Sequence, residues 1–322
     1  MRVHVLDDYF DTLRHLRCFS KLSGMDVTVW NDHEDDVDLL AARMADAEVL
    51  VLIRERTSVT AELLDRLPAL KLISQRSVYP HVDVEACTAR GVTLCSDMHA
   101  GTPSFAAAEM SWALVLAAAR QLPQQMASLQ AGAWQMGVGK TLRGRTIGLY
   151  GYGRIGAAVA EYARAFGMRV QWWSSAEGRA RAAADGEIVA ESREAFFAGS
   201  DVVSVHVRLY PSTRGLITRD DLAAMGPNSI FVNTSRAGLI EPGALLDAIE
   251  AGRPGFAAVD VFDREPVRDP VDPLVMHPNV ISTPHIGYVT EDEYELQFSD
   301  VFDQIVAFAA GSPINVINPS VA

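Results

Sequence analysis

Residues 146–156 read TIGLYGYGRIG, a short apolar run followed by glycines at positions 151, 153 and 156. The run Thr146–Tyr150 predicts a buried strand, and the AAVAEY segment after Gly156 predicts a helix. Gly151 permits a tight turn, Gly153 lets a ligand approach the backbone, and Gly156 lets the helix pack on the strand. Together they predict a strand–turn–helix unit of a parallel sheet, with an anion site at the helix N-terminus.

The ligand that this spacing predicts is a dinucleotide whose pyrophosphate rests on the turn. Gly151, Gly153, Arg154, Ile155 and Gly156 are the candidate contacts. A tight turn without a ligand would show the same glycine spacing. The strand before the turn and the helix after it favour the dinucleotide.

A second predicted strand, Arg169–Ser174, ends about 20 residues downstream, where an acidic residue holds the ribose hydroxyls in NAD enzymes. Ser174 and Ser175 occupy that place. Arg179 and Arg181 follow, and they could meet a 2′-phosphate or remain solvated helix charges. The cofactor is therefore NAD or NADP, with NAD favoured.

The chain of 322 residues is longer than the roughly 250–300 residues at which single cores stop growing, which predicts two domains. Strand-like runs alternate with helical patterns throughout, as in a parallel sheet covered by helices. The predicted strands are Val27–Trp30, Val49–Ile53, Leu70–Ser74, Val92–Leu94, Thr146–Tyr150, Arg169–Ser174, Asp201–Val207, Ser229–Asn233, Phe256–Phe262 and Val280–Thr283.

Four segments outside these strands also have predicted structures. Thr102 as a cap and Pro103 in the first turn predict a helix that runs to Arg120. The segment Leu122–Gly144 has weak periodicity and predicts an excursion or arm. Pro242 predicts another helix start, and Glu291–Ala310 predicts a final helix.

The composition excludes several classes of function. With 28 Lys and Arg against 41 Asp and Glu, the formal charge is −13, the wrong sign for a general nucleic-acid binder. Cys18, Cys87 and Cys95 follow no metal-ligand or disulfide spacing, which predicts buried thiols, no metal site and a reducing, cytoplasmic location. Asp7 and Asp8 interrupt the N-terminus before a signal sequence could form, and the longest apolar stretch is too short for a membrane span.

Three further segments carry candidate catalytic side chains directly after predicted strands. They are Arg236 in NTSRAG, Glu265 in VFDREP and His285 in STPHIG. Ligands of open α/β sheets bind at the carboxyl ends of the strands, so all three are candidates for one site. Each could instead be an ordinary loop residue, because sequence spacing does not show that they meet.

With these motifs the chain resembles the D-isomer-specific 2-hydroxyacid dehydrogenases. The resemblance covers nearly the whole chain, because the glycine turn and the segments DVVSVH, NTSRAG, AAVDVFDREP and TPHIG occur in the family's order. It implies a Rossmann-type, doubly wound parallel sheet at 99–289. It also implies a smaller, flavodoxin-like α/β substrate domain at 1–98, completed by 290–322.

The same resemblance implies a role for each candidate. Arg236 would bind the carboxylate and carbonyl of a 2-keto acid, because its guanidinium can grip a carboxylate with two hydrogen bonds. His285 would be the acid/base and Glu265 its partner, orienting the ring and favouring its protonated form. Asp260 would hold the nicotinamide carboxamide. His206 and Thr234 complete the dinucleotide contacts that the resemblance implies.

The chain departs from the family at three places. The substrate loop, usually glycine-rich, reads QRSVYPHVD at 75–83 and contains no glycine, so Arg76 and Ser77 become candidate substrate contacts. Tyr288 occupies a position where the family generally has a small residue, and it could narrow the substrate pocket or contact the substrate. Arg208 replaces a proline that commonly lines the family's adenine pocket. This is a second reason to keep NADP as an alternative cofactor.

Two alternatives share this scaffold. A dinucleotide-sensing binding protein could keep all three candidate catalytic residues, whereas a formate dehydrogenase would carry glutamine in place of Glu265. The resemblance further implies a homodimer, with Leu122–Gly144 as the arm. The physiological 2-hydroxy acid and the direction of the reaction stay open.

Overall fold

The computed structural model describes residues 1–98, 105–269 and 271–321. The chain divides into two units, the first formed by Met1–Pro103 with Val289–Ala322 and the second by Ser104–Tyr288. The predicted cap Thr102 and the predicted first-turn Pro103 lie outside the described residues.

The first unit is built on five parallel strands in the order β2-β1-β3-β4-β5, which is the flavodoxin-like order. Its strands are β1 Arg2–Val5, β2 Asp26–Val29, β3 Val49–Val51, β4 Leu72–Arg76 and β5 Thr93–Asp97. Its helices are α1 Val37–Arg43, α2 Ala61–Leu64, α3 Val84–Ala89 and α12 Glu291–Ala309. The last of these confirms the predicted final helix to within one residue.

The sequence did not predict β1, although this strand lies between β2 and β3. Its four residues, RVHV, include a histidine and form a run too short for a clear pattern. His4 is nevertheless buried, with 5% of its surface exposed. Its Nδ1 accepts a hydrogen bond from Trp30 Nε1 at 3.2 Å, which satisfies this buried nitrogen.

The second unit is built on six parallel strands in the order β11-β10-β9-β8-β6-β7, and the six predicted strands are confirmed. They are β6 Thr146–Tyr150, β7 Arg169–Trp173, β8 Val202–Val205, β9 Ile230–Asn233, β10 Phe256–Val259 and β11 Val280–Ser282. A parallel bridge also pairs Trp172 of β7 with Val189, which lies outside the strands. The chain order reverses between β6 and β8, as in a Rossmann sheet.

Helices cover both faces of this sheet, which explains why its strands are apolar on both sides. One core contains Trp112 of α4 and Val159 of α6, and the other contains Phe196 of α8 and Leu245 of α10. The helices are α4 Ala106–Arg120, α5 Leu122–Gln130, α6 Arg154–Ala165, α7 Ala176–Ala184, α8 Arg193–Ala198, α9 Arg219–Ala224, α10 Ala244–Glu250 and α11 Pro273–Met276.

The segment predicted as an excursion or arm begins with a helix, α5, which starts after Gln121 at φ +53°. One expectation about helices needs correction. Pro242 does not begin α10, because Gly243 at φ +74° stands between them as the cap. A left-handed residue is needed there to reverse the chain, and glycine adopts that conformation without steric cost.

The cysteines are buried, as expected, and burial raises the pKa of the Cys18 thiol to about 12 and of Cys87 and Cys95 to about 11. In the described ranges, no helix has the length and apolarity that crossing a membrane requires.

Candidate active site

The glycine turn follows β6 directly and has the conformation that the sequence pattern requires. Gly151 has φ +113°, and a Cβ there would lie 2.3 Å from the carbonyl oxygen of His206. A Cβ on Gly156 would lie 2.9 Å from the carbonyl oxygen of Gly151 and 3.0 Å from the Trp172 ring. A larger residue at Gly156 would push α6 away from the sheet, and one at Gly151 would clash with the backbone that follows β8.

Gly153 caps the twelve-residue helix α6 with extended backbone and no side-chain hydrogen bond. A Cβ at Gly153 would meet no described heavy atom within 4 Å, so the space above the turn is open. The first N–H groups of α6, including those of Arg154 and Ile155, therefore start a helix whose positive end faces this space. The turn fits a pyrophosphate.

Ser174 lies beside this turn at the end of β7. Its Oγ accepts a hydrogen bond from Tyr152 N at 3.4 Å, and Trp173 O accepts one from Gly151 N at 2.8 Å. Ser174, at the position where the sequence predicts contact with the ribose, is therefore hydrogen-bonded directly to the glycine turn.

Two other predicted dinucleotide contacts lie at the carboxyl ends of β8 and β9. His206 Nε2 shares a hydrogen bond with Ser204 Oγ at 3.0 Å, and desolvation lowers the pKa of this histidine to about 4. A neutral imidazole follows at neutral pH. Thr234 Oγ1 shares a 2.6 Å hydrogen bond with Ser111 Oγ of α4.

His285 and Glu265 form the pair that the sequence predicts. His285 Nδ1 donates to Glu265 Oε2 at 2.6 Å, and Glu265 Oε1 accepts from Phe262 N at 2.9 Å. The carboxylate is thereby fixed on both oxygens. Within the described chain no residue bonds Nε2 of His285, and the side chain is 18% exposed, so this nitrogen remains open to a reactant.

Asp260, which is fully buried at the end of β10, binds the turn that carries His285 through hydrogen bonds. Asp260 Oδ1 accepts from Thr283 Oγ1 at 2.6 Å and from Ile286 N at 2.9 Å, and Oδ2 accepts from Gly287 N at 2.8 Å. Burial raises the pKa of this carboxyl. We call these three hydrogen bonds the Asp260 clamp. His285 itself has φ +53°, a left-handed conformation that the clamp stabilises. The carboxamide contact proposed for Asp260 stays a prediction.

Arg236 lies in the loop after β9, next to the strand that leads to Asp260. Asn233, fully buried, shapes this loop: its Oδ1 accepts from Ser235 N at 3.0 Å and its Nδ2 donates to Arg236 O at 3.0 Å. Arg236 Nη1 donates to Ser235 O at 2.7 Å. Arg236, Glu265 and His285 thus follow three adjacent strands, β9, β10 and β11.

Sequence reasoning did not identify Asn233 or Thr283 as residues that shape the site. Both carry a signal that could have found them. Each is a polar residue at the end of an apolar strand, two or three positions before a candidate catalytic residue, where Asn and Thr side chains hydrogen-bond local backbone.

The candidate substrate contacts are placed differently. Arg76 projects to the same side of β4 as Ser74, toward α12, where its Nε lies 3.3 Å from Asp300 Oδ2. Ser77 has φ +78°, a left-handed conformation that is uncommon for a residue other than glycine. Tyr288 is 9% exposed and its ring meets the His285 ring edge-on, with centroids 5.7 Å apart. Their roles in substrate binding stay predictions.

Comparison with known proteins gives consistent matches. The family model "D-isomer specific 2-hydroxyacid dehydrogenase, NAD binding domain" matches residues 112–287. The chain is 35% identical to glyoxylate reductase of Aeropyrum pernix, covering 92% of this chain and 90% of that one. It is 37% identical to D-3-phosphoglycerate dehydrogenase of Methanocaldococcus jannaschii, covering 87% of this chain and 53% of the relative.

The chain therefore spans about half the length of several curated relatives that it matches. Among solved structures, phosphoglycerate oxidoreductase of Vibrio cholerae superposes with a TM-score of 0.91 at 44% identity, covering 97% of this chain and 99% of that one.

Proposed function

Because the chain belongs to the D-isomer-specific 2-hydroxyacid dehydrogenase family, we propose that it interconverts a 2-keto acid and a D-2-hydroxy acid with NAD(H) or NADP(H). In this proposal residues 99–289 bind the dinucleotide, and residues 1–98 with 290–322 form the substrate domain. The observation that carries it is the 2.6 Å hydrogen bond between His285 and Glu265, which leaves Nε2 of the histidine open.

The reduced nicotinamide, when bound, supplies a hydride to the keto carbon. His285 then provides the proton that the developing alkoxide needs, from Nε2. Glu265 fixes the ring through Nδ1, so that Nε2 is the nitrogen directed at the reactant. Arg236 binds the carboxylate and polarises the adjacent carbonyl. In the oxidation direction each step reverses, and neutral His285 accepts the hydroxyl proton.

Turnover of a keto-acid panel tests this function. The loss of NADH or NADPH absorbance is followed with glyoxylate, hydroxypyruvate, phosphohydroxypyruvate and pyruvate, and formate oxidation is followed in parallel. We expect reduction of at least one 2-keto acid, to the D-hydroxy acid wherever the product is chiral. We expect no formate oxidation, since Glu265 stands where a formate dehydrogenase would carry glutamine. Cofactor binding without turnover of any 2-keto acid would contradict the enzyme and support a dinucleotide-sensing protein.

We also propose that the chain forms a homodimer through α5 and the segment that follows it. This region, predicted as the arm, places no buried residue in α5 and exposes several large apolar side chains. They are Leu122, Met126, Leu129, Trp134, Met136 and Val138. An apolar surface of this kind is typical of an interface.

Light scattering tests the dimer. We expect the wild-type chain to have the mass of two copies, and the double variant Met126→Lys, Leu129→Lys to have the mass of one. Ile188→Lys, at an exposed apolar residue of another segment, is the matched control and should remain dimeric. A monomeric wild type, or a dimer that survives the double substitution, would contradict this interface.

A further inference from the structure

We infer that Gln75 and Ser96 are positioning residues of the substrate loop, and that they hold its backbone in the conformation that binds the substrate carboxylate. The two residues are buried and pair with each other across β4 and β5, near the carboxyl ends of both strands. They act through the backbone of Ser77 rather than by touching the substrate. The inference rests on the proposed function only for the identity of the ligand.

The backbone of Ser77 is bound on both of its polar groups. Its N–H donates to the carbonyl oxygen of Asp97 at 3.0 Å, and its carbonyl oxygen accepts from Ser96 Oγ at 2.6 Å and from Gln75 Nε2 at 3.1 Å. A residue other than glycine keeps a φ of +78° only where its surroundings fix that conformation. These three hydrogen bonds fix it.

The amide of Gln75 has the orientation that this role requires. Its Nε2 lies 3.1 Å from Ser77 O, 3.0 Å from Ser96 Oγ and 3.4 Å from Val78 O, so the donor end of the amide faces the loop. Its Oε1 is buried without a hydrogen bond to a described residue. A buried acceptor without a partner destabilises a fold, so stability alone does not account for a glutamine at this position.

The two residues after Ser77 offer backbone donors to a ligand. Val78 and Tyr79 are half-buried, and within the described ranges their N–H groups have no hydrogen-bond acceptor. Adjacent backbone N–H groups in a turn bind anions, and an ionised carboxylate is an acceptor only. A change of φ at Ser77 would redirect both N–H groups. Their direction therefore depends on Gln75 and Ser96.

Gln304 of α12 is a matched control for Gln75. It is fully buried, its Nε2 donates to Gln75 O at 3.3 Å, and its Oε1 accepts from Ser74 Oγ at 3.1 Å. These bonds join α12 to β4, and none of them reaches Ser77 or the residues after it. Gln304→Leu thus removes a buried amide of the same size without releasing the turn.

Hydrogen exchange of the backbone amides, followed by mass spectrometry on peptides that cover the substrate loop, tests the positioning without substrate. In Gln75→Leu we expect the Ser77 amide to exchange about tenfold faster or more, because its bond to Asp97 O opens when the turn is released. Gln304→Leu should keep the wild-type rate. Ser96→Ala removes one donor with a smaller change in volume, and it should also speed exchange if Gln75→Leu does not fold.

Steady-state kinetics with whichever 2-keto acid is reduced tests the consequence for binding. We expect Gln75→Leu and Ser96→Ala to raise KM for the keto acid by about tenfold and to change kcat by less than about twofold, because a contact made equally in the ground and transition states is weakened. Gln304→Leu should keep the wild-type KM.

Exchange that stays at the wild-type rate in Gln75→Leu and Ser96→Ala, an unchanged KM in both, or an equal rise of KM in Gln304→Leu would overturn the inference. The exchange measurement needs no reaction, so it decides whether these residues position the loop even if no keto acid is reduced. A wild type without turnover would count against the proposed function alone.

Discussion

The carboxyl edges of the two sheets both carry polar and charged side chains, but they use them differently. At the edge of the first sheet the groups around Asp7 bind one another, whereas Arg76 Nη1 and both ring nitrogens of His81 are buried without a hydrogen bond to a described residue. Asp7 accepts from His33 Nδ1 at 2.8 Å and from Thr57 Oγ1 at 2.6 Å, and Arg56 Nη1 donates to the Asp7 carbonyl oxygen at 2.6 Å. These contacts join the loops that follow three different strands.

At the edge of the second sheet several groups face open space. The start of α6 at Gly153 has no side-chain cap, and His285 keeps Nε2 open while Nδ1 is bound. Here the internal hydrogen bonds orient groups that still have unused hydrogen-bonding capacity. A charged group at a strand end therefore indicates a ligand site only where its hydrogen-bonding capacity is incompletely satisfied within the fold.

The largest effect is expected at His285, the proposed acid/base at the second edge. In His285→Asn we expect kcat/KM for keto-acid reduction to fall by about 10²–10⁴-fold, because general acid catalysis is removed. Cofactor affinity should not change, since the glycine turn is intact. Steady-state kinetics and a separate NADH titration measure the two quantities.

His277→Asn is the matched control, because His277 precedes β11 at its amino end whereas His285 follows its carboxyl end. This variant should keep wild-type turnover. Comparable losses of activity in the two variants would show that the difference between the edges does not determine catalysis.

An intermediate effect is expected at Asp260, whose carboxylate accepts three hydrogen bonds beneath the His285 turn. Asn at this position places an NH₂ group against one of those donors. We expect a loss of about 1–3 kcal/mol in the free energy of unfolding, from an unsatisfied buried donor. We also expect kcat to fall more than KM rises, since His285 loses its position.

Denaturant titration and steady-state kinetics test Asp260→Asn. Thr283→Val is the matched variant that removes only one of the three donors, and its loss of stability should be smaller. A full loss of kcat in Asp260→Asn with wild-type stability would contradict the clamp and would support direct contact with the cofactor.

The smallest effect on turnover is expected in the first unit, at His33, where the substitution changes stability instead. His33 bridges Asp7 at 2.8 Å and Asp35 at 2.8 Å, and the hydrogen bond to Asp7 is the main cause that raises the pKa of the histidine. A raised folded pKa stabilises the fold fully below the unfolded value of 6.5, and this contribution is lost as pH rises through the folded pKa.

His33→Gln should therefore lose about 1.5–3 kcal/mol in the free energy of unfolding at pH values below 6.5, from a hydrogen bond to a charged group. The difference from wild type should shrink on the alkaline side of the folded pKa. Thermal unfolding across pH measures it. A difference that is constant with pH would mean that the charge on His33 does not stabilise the loops.

The sequence predicted most of the second sheet because its signals are local. The run Thr146–Tyr150 is an unbroken apolar strand that leads into glycines, and the structure has the same bounds. The pairing of His285 with Glu265 was inferred from a resemblance, and the structure places them in contact. Elsewhere the strand bounds differ by up to three residues, because pairing with neighbours decides where a ladder stops.

What the sequence could not predict depends on contacts distant along the chain. The strand β1 is identified only by its pairing with β2 and β3. The partner of Arg76 is Asp300, more than 200 residues away, on a helix that returns to the first sheet. The left-handed backbone of His285 depends on the clamp by Asp260, which no local pattern at His285 indicates.

In the proposed reaction the bound nicotinamide transfers a hydride to the keto carbon while His285 supplies the proton. Cofactor deuterated at the transferring position and a 2-keto acid that the chain reduces test this reaction, with the product examined by mass spectrometry. We expect one deuterium on the former keto carbon of the hydroxy acid from the wild type, and about 10²–10⁴-fold less labelled product in the same reaction time from His285→Asn. A product without deuterium, or equal labelling by His285→Asn, would contradict it.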